Sequence, residues 1–88
     1  MSKWIINFTK KSQKELQKLD RQIQTQIIAE LDRIIHLGNP RDAGKSLTGE
    51  LSGLWRYRVG DYRVIAELED DIFTIIVVRI GHRKNIYD

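Results

Sequence analysis

A β-hairpin constrains the fold of this chain more than any other feature of the sequence. The stretch LWRYRVGDYRV, residues 54–64, alternates apolar and polar side chains on both sides of a Gly-Asp pair. This is the pattern of two antiparallel strands joined by a two-residue turn. The register that it predicts pairs Val59 with Tyr62 and leaves Arg58 directly opposite Arg63. Because like charges opposite each other weaken a sheet, this pair indicates a requirement other than stability.

The same alternation divides the hairpin side chains between two faces of the sheet. The face expected to join the core contains Trp55, Tyr57, Val59, Tyr62, Val64 and Ala66. The other face contains Leu54, Arg56, Arg58, Arg63, Ile65 and Glu67. Three guanidinium groups then lie roughly 5–8 Å apart, which favours a bound anion. Phosphate fits best, because arginine offers a planar fork of donors. Solvated surface charges are the alternative, but exposed ion pairs contribute only about 0–1 kcal/mol and do not explain a directly opposed pair.

The remaining patterns predict one α+β domain over residues 1–88. A short strand over residues 4–8 precedes two helices between about residues 10 and 37, divided near Asp20. Residues 38–53 hold four of the six glycines and the only proline, so we expect a long loop. Three further strands are predicted at 54–59, 62–68 and 72–80. The order β-α-α-β-β-β predicts two N-terminal helices packed on one face of a small four-stranded antiparallel sheet.

Composition narrows the classes of function. The chain has no cysteine, so it has neither a disulfide framework nor a thiolate metal site, and a cytoplasmic location is expected. No apolar segment approaches the length of a membrane span. The two histidines, His36 and His82, are far apart, and no metal site or cofactor is predicted. The net charge of +3 permits an anionic partner.

The C-terminal stretch RIGHRKNIYD, residues 79–88, adds reactive groups to this charge. Cleaving an RNA backbone without metal requires a base for the 2′-hydroxyl, cations for the developing negative charge and an acid for the leaving oxygen. Tyr87 or His82 is the candidate base, in a segment expected to fold over the arginine face, and the arginines are the cations. In the alternative interpretation His82 is a solvated turn residue and Tyr87 a packing ring.

Two stretches, SLTGELSGLWRYRVGDYRVIAEL and IIVVRIGHRKNIYD, together resemble the RelE toxins of the RelE/ParE superfamily of toxin–antitoxin systems. The resemblance implies a RelE-like fold and a type II toxin that is a ribosome-dependent mRNA endoribonuclease. Such a toxin inhibits translation by metal-free cleavage in the decoding site. It also implies two partners, a cognate RelB-like antitoxin and the ribosome with mRNA, and neither a membrane nor a small-molecule cofactor.

The resemblance also carries roles to individual positions. The expected catalytic residues are Arg63, Arg83, Tyr87 and His82, and the expected RNA-binding residues are Arg56, Arg58, Lys45 and Lys84. Well-studied members have lysines at the positions of Arg56 and Arg58. Arginine is effectively always protonated, so neither residue can transfer a proton here, although both can hold a phosphate and stabilise a tyrosinate. Whether His82 or Tyr87 acts as the base is left open.

Two other functions remain compatible with the sequence. One is a toxin of the ParE branch, which inhibits DNA gyrase by protein binding. That branch generally lacks the complete set of basic residues and tyrosine. The other is a catalytically inactive RNA-binding domain, which would bind RNA with strong salt dependence and never cut it.

Overall fold

The computed structural model describes residues 3–86, and Tyr87 therefore lies outside the described part of the chain. Its helices and strands, in chain order, are β1 (Ile5–Phe8), α1 (Lys10–Gln17), α2 (Arg21–Ile35), β2 (Lys45–Ser46), β3 (Trp55–Val59), β4 (Tyr62–Glu69) and β5 (Thr74–His82). Three short 3₁₀ turns lie between them, at Pro40–Asp42, Gly49–Leu51 and Asp70–Ile72. Within residues 3–86, no helix is long and apolar enough to cross a membrane.

Local signals explain where the two helices begin and end. The Oγ1 atom of Thr9 accepts a hydrogen bond from the backbone N–H of Ser12 at 3.1 Å, which caps α1. Asp20 immediately precedes α2, as predicted, but its side chain makes no capping hydrogen bond. Gly38, with φ of 90°, adopts the left-handed conformation just beyond α2. The predicted division into two helices is confirmed.

The sheet has five strands in the order β1-β5-β4-β3-β2. The prediction of four antiparallel strands is therefore wrong in two respects. First, β1 runs parallel to β5, and both helices and three strands separate the two in the chain. Second, β2 forms inside the predicted loop and pairs antiparallel with β3. A strand of two exposed residues has no hydrophobic alternation by which the sequence would reveal it.

The predicted register of the hairpin between β3 and β4 is confirmed. Val59 pairs with Tyr62, and Arg58 pairs with Arg63. Gly60 occupies the first turn position with φ of 58°, a conformation that glycine adopts readily. Between β4 and β5 the register shifts after Ile65, which is a β-bulge.

The last strand lies two residues later than the sequence predicted. A 3₁₀ turn occupies Asp70–Ile72, and Phe73 follows it in the left-handed conformation with φ of 47°. The strand then continues through Gly81 to His82, because both residues pair with the opening of β4. This extension determines the faces on which the C-terminal residues lie.

The main core lies between the two helices and one face of the sheet. Leu16 of α1 and Ile27, Leu31 and Ile34 of α2 are buried against the sheet. The sheet contributes the buried side chains of Trp4, Tyr57, Val64, Ala66, Ile75, Val77 and Ile80. A second, much smaller cluster on the opposite face consists of Leu47, Ile65 and Ile86.

Candidate functional site

The face of the sheet opposite the helices carries cations in register. Lys45 of β2 pairs with Arg56 of β3, and Arg58 of β3 pairs with Arg63 of β4. We call this face of the sheet, which carries Lys45, Arg56, Arg58 and Arg63, the basic face. Each pair places two positively charged residues directly opposite each other, an arrangement that does not favour strand pairing. The sequence predicted the second pair, and only the formation of β2 produces the first.

The four cations differ in how far solvent reaches them. Lys45 and Arg58 are exposed, and Arg56 is half-buried. Arg63 is only 1% exposed. Its Nη1 atom donates to the carbonyl oxygens of Gly60 at 3.1 Å and Tyr62 at 3.0 Å. The Arg63 guanidinium therefore holds the hairpin turn, and in this conformation it is not open to a ligand.

The loop that leads into β2 is attached to the core by two aromatic side chains. The Tyr57 hydroxyl donates to the carbonyl oxygen of Pro40 at 2.8 Å, and the Trp55 Nε1 donates to that of Ala43 at 2.7 Å. Burial raises the pKa of Tyr57, so its hydroxyl keeps the proton that it donates. Tyr57 is thus a structural tyrosine and has no part in acid–base chemistry.

Gly44 sets the approach of β2 to β3. Its φ is 72°, and a Cβ atom here would lie 2.7 Å from Trp55 Nε1 and 2.8 Å from Tyr57 Cδ1, and closer still to the Arg56 carbonyl oxygen. Only glycine fits this backbone and this space. The close approach places the neighbouring Lys45 opposite Arg56.

The C-terminal turn crosses to the basic face, as the sequence predicted. Gly81 pairs with Arg63, and the Ile86 side chain fills the space that Gly81 leaves, since a Cβ at position 81 would lie 2.9 Å from Ile86 Cδ1. Ile86 is buried against Leu47 and Ile65. Because Gly81 has no Cβ atom, Ile86 can pack against β5 at the position opposite the buried Arg63.

Arg83 lies beside the hairpin turn. Its backbone N–H donates to the carbonyl oxygen of Asp61 at 2.8 Å, and its Nε lies 3.8 Å from Asp61 Oδ1. The Arg83 side chain is 53% exposed, and Lys84 is exposed as well. Both cations of the tail are therefore accessible, and the backbone of Arg83 is anchored to the turn that follows Arg58.

His82 lies on the face of the sheet opposite to the basic face. It pairs with Tyr62, and the two rings meet edge to face with centroids 5.4 Å apart. Tyr62 packs against the main core, so this position belongs to the helix side of the sheet. The structure does not bring His82 together with the arginines, and Tyr87 lies outside the described residues.

The sequence did not single out Arg79, although it adjoins this site. Arg79 pairs with Ile65 on β5, and its Nε donates to Glu15 Oε2 at 3.2 Å. The other Glu15 oxygen accepts from the backbone N–H of Ile80 at 2.9 Å, beyond the point where β1 ends. Arg79 also lines a cavity of about 440 Å³ with the turn at Gly49–Leu51. Among residues 3–86, no group of three or more His, Cys, Asp or Glu side chains is placed to hold a metal ion.

Residues 6–87 match the family described as the ParE toxin of the type II toxin–antitoxin system parDE. Toxin RelG of Mycobacterium tuberculosis is 30% identical over 88 residues, which covers 96% of this chain and 95% of the relative. Toxin RelE of the same organism is 37% identical over 51 residues, covering 58% of this chain and 53% of the relative.

Solved structures give the same result. The toxin–antitoxin complex RelBE2 of M. tuberculosis contains a chain with a TM-score of 0.78 and 28% identity, with coverage of 91% of this chain and 98% of the other. The RelB–RelE complex of Methanococcus jannaschii contains one with a TM-score of 0.71 and 30% identity, covering 93% and 95%. The chain belongs to the ParE toxin family of the RelE/ParE superfamily and is a toxin of a type II toxin–antitoxin system.

Proposed function

We propose that this toxin is an mRNA endoribonuclease that acts on the ribosome and thereby inhibits translation. The observation that carries the proposal is the pairing of like charges on the basic face, Lys45 with Arg56 and Arg58 with Arg63. A bound RNA backbone would neutralise the exposed member of each pair, Lys45 and Arg58. The similarity to toxins named RelE and RelG supports the same reading.

The proposed reaction is an internal transfer at one phosphate. The 2′-oxygen of the preceding ribose forms a bond to phosphorus, and the bond from phosphorus to the 5′-oxygen breaks. The products are a cyclic phosphate and a 5′-hydroxyl. We assign Tyr87, in its tyrosinate form, as the base that takes the 2′-hydroxyl proton, and a solvent water donates the proton that the leaving 5′-oxygen gains. Arg56 and Arg58 stabilise charge without transferring protons, because arginine does not deprotonate in this range.

The accessible cations have distinct roles in this proposal. Arg83 and Arg58, both exposed and both close to the hairpin turn, bind the scissile phosphate and its neighbours. Lys45 and Lys84 hold the RNA backbone on either side. Arg63 is 1% exposed, so it can hold the phosphate only after its guanidinium becomes accessible.

The experiment that tests this function maps cleavage sites on an mRNA in a reconstituted translation reaction. We expect wild-type protein to cut the mRNA only when ribosomes are present. Arg83→Ala should lower the cleavage rate about 100-fold or more, the usual effect of removing a group that stabilises charge in the transition state. Arg21→Ala is the matched control, since it removes an exposed arginine at the start of α2, on the helix side of the sheet.

Two results would contradict the proposal. If no protein cuts mRNA with or without ribosomes, the ribonuclease activity is absent. If Arg83→Ala cuts as fast as Arg21→Ala, Arg83 does not belong to the site. Circular dichroism of each variant shows whether the fold is intact in either case.

Inhibition of DNA gyrase by protein binding is the second candidate function, and the family match favours it, because the matching family is named for the ParE toxin. A supercoiling assay with purified gyrase distinguishes the two functions. Inhibition of supercoiling without mRNA cleavage would assign this protein to the second one. RNA binding that weakens steeply with salt, with neither activity, would identify an inactive RNA-binding domain.

We also propose that a cognate RelB-like antitoxin binds this toxin. Similar toxins have been solved in complexes with RelB, including those of M. jannaschii and Pyrococcus horikoshii. An acidic antitoxin segment that covers the basic face would neutralise Lys45 and Arg58 and exclude RNA. Coexpression with the product of the neighbouring gene should give a complex that withstands purification.

A further inference from the structure

We propose that His82 is a positioning residue that holds the C-terminal turn, and that it is not the base of the reaction. The expected effect of His82 on cleavage rests on the proposed ribonuclease function. Its role in holding the C-terminal turn does not. Three contacts of His82 carry it: its pairing on β5, the hydrogen bond to its ring and the two hydrogen bonds to its carbonyl oxygen.

The first contact places the His82 ring away from the arginines. Side chains of adjacent strand residues point to opposite faces, and Gly81 is the residue that pairs with Arg63. His82 pairs with Tyr62, whose ring it meets edge to face on the helix side of the sheet. A base must reach the 2′-hydroxyl of an RNA that lies on the basic face, and this ring points to the other side.

The second contact defines the state of the ring. The Nδ1 atom of His82 accepts a hydrogen bond from the backbone N–H of Lys84 at 3.2 Å. An accepting Nδ1 requires a neutral imidazole whose proton is on Nε2. The lone pair of Nδ1 is already used by the turn, and Nε2 carries a proton, so neither nitrogen is available to take one from RNA.

The third contact begins the turn itself. The carbonyl oxygen of His82 accepts hydrogen bonds from the backbone N–H groups of Asn85 at 2.8 Å and Ile86 at 3.1 Å. With the bond to Nδ1, three consecutive amides, those of Lys84, Asn85 and Ile86, are held by this one residue. His82 therefore directs the path of Arg83, which is anchored at Asp61, and the return of Ile86 to Gly81.

A pair of substitutions separates positioning from proton transfer. In His82→Asn, the side-chain oxygen can replace Nδ1 as the acceptor for the Lys84 N–H, in the geometry of an Asx turn. In His82→Gln, the side-chain polar atoms lie farther out, near the position of Nε2, and cannot close that turn. Neither side chain can act as a base, so the two variants differ only in the hydrogen bond that they offer.

We expect His82→Asn to keep cleavage within about threefold of wild type, with the same dependence on pH. His82→Gln should lose about 10-fold or more, since small displacements of catalytic groups reduce rates by up to roughly 100-fold. Amide hydrogen exchange should show a protected Lys84 N–H in wild type and His82→Asn and a fast-exchanging one in His82→Gln. Long-range proton–nitrogen NMR spectra of the wild-type ring should show the proton on Nε2.

Three outcomes would overturn the inference. If both variants lose cleavage equally while Lys84 stays protected in His82→Asn, His82 is the base. If both variants cleave mRNA as fast as wild type, the position of the C-terminal turn does not depend on His82. If the Lys84 amide exchanges equally fast in all three proteins, His82 does not hold the turn. The exchange and NMR measurements need no RNA, so they decide the structural part even if the wild-type protein cuts nothing and the proposed function fails.

Discussion

The two faces of the sheet differ in how many apolar side chains they bury and in how much charge they carry. The helix face buries side chains from both helices, from three strands (β3, β4 and β5) and from Trp4 in one apolar cluster. Among residues 3–86, the basic face has a core of three buried residues, Leu47, Ile65 and Ile86, and carries two pairs of like charges in register. The helix face therefore provides most of the apolar burial that stabilises the fold, whereas the like-charge pairs of the basic face are expected to lower stability. This difference is what the proposed RNA-binding role of the basic face predicts.

The largest expected effect tests whether the helix face really dominates stability. Leu31→Ala should lower the free energy of unfolding by about 2–5 kcal/mol, because Leu31 is fully buried and the surrounding core can collapse only in part. Leu47→Ala makes the same chemical change on the basic face, and we expect roughly 1–2 kcal/mol there, because the cluster is small and Leu47 is partly accessible. Urea denaturation measures both. Equal losses would mean that both faces contribute equally to stability.

The next prediction concerns the loop that supplies Lys45 to the basic face. Gly44→Ala should cost more than about 2 kcal/mol, since it adds steric overlap with Trp55 and Tyr57 to the strain of a positive φ. Gly49→Ala is the control: its φ is 68°, and nothing lies within 4 Å of its added Cβ. It should therefore show only the backbone strain, about 1–2 kcal/mol. Thermal unfolding of both variants gives the difference, and equal effects would show that the close approach to β3 is unimportant.

Removing one charge of the opposed pair should separate stability from function. Arg58→Ala should raise the free energy of unfolding by about 0.2–1 kcal/mol in low salt, and by less in high salt, because it relieves the repulsion with Arg63. The same variant should bind RNA more weakly and with a smaller salt dependence, since one phosphate contact is lost. Arg21→Ala, on the helix side, should change neither. A destabilised Arg58→Ala protein would show that the opposed pair is not repulsive.

The smallest effects are expected at the turn between β4 and β5, where an aspartate is paired with an arginine. Arg41 donates two hydrogen bonds to Asp70, which lower the pKa of the Asp70 carboxyl, whereas Glu67 raises the pKa of Glu69. A lowered pKa means that the ionised Asp70 stabilises the fold above its unfolded pKa and that this contribution disappears as the pH falls through its folded pKa. Asp70→Asn should thus be less stable than wild type near neutral pH, and the two should converge in acid.

Glu69 provides the opposite sign as a control on the same turn. Its raised pKa means that the ionised carboxylate destabilises the fold above the folded pKa, so Glu69→Gln should be slightly more stable than wild type near neutral pH. The difference should vanish below the unfolded pKa of about 4.3. Urea denaturation across this pH range measures both variants. Shifts of the same sign for Asp70→Asn and Glu69→Gln would contradict the assigned pairing.

Much of this protein was predictable from short stretches of sequence. The hairpin register followed from the Gly-Asp turn and the alternation around it, because a turn of two residues leaves no freedom in pairing. The helices followed from the spacing of apolar residues at the helical period. These features depend on interactions between residues that are close in sequence.

The site was predicted less completely. The exposure of its residues, and the face of the sheet on which each one lies, depend on contacts between residues that are far apart in the chain. The sequence identified Arg63 correctly as a partner of Arg58, yet its burial, at 1% exposure, became apparent only in the folded protein. It named His82 as a candidate base, but two additional residues of β5 place its ring on the helix side. A shift in where one strand ends is enough to change which groups meet.

By itself, the sequence determined the hairpin, the two helices, the opposed pair of arginines and the resemblance to RelE toxins, since each is encoded in a local pattern. Only the tertiary structure decided that β1 runs parallel to β5 and that Lys45 faces Arg56. It also decided that Arg63 is covered and that His82 holds the C-terminal turn. The physical reason is that these contacts join residues far apart in the chain. Their geometry depends on the register and packing of the whole sheet, which no local pattern records.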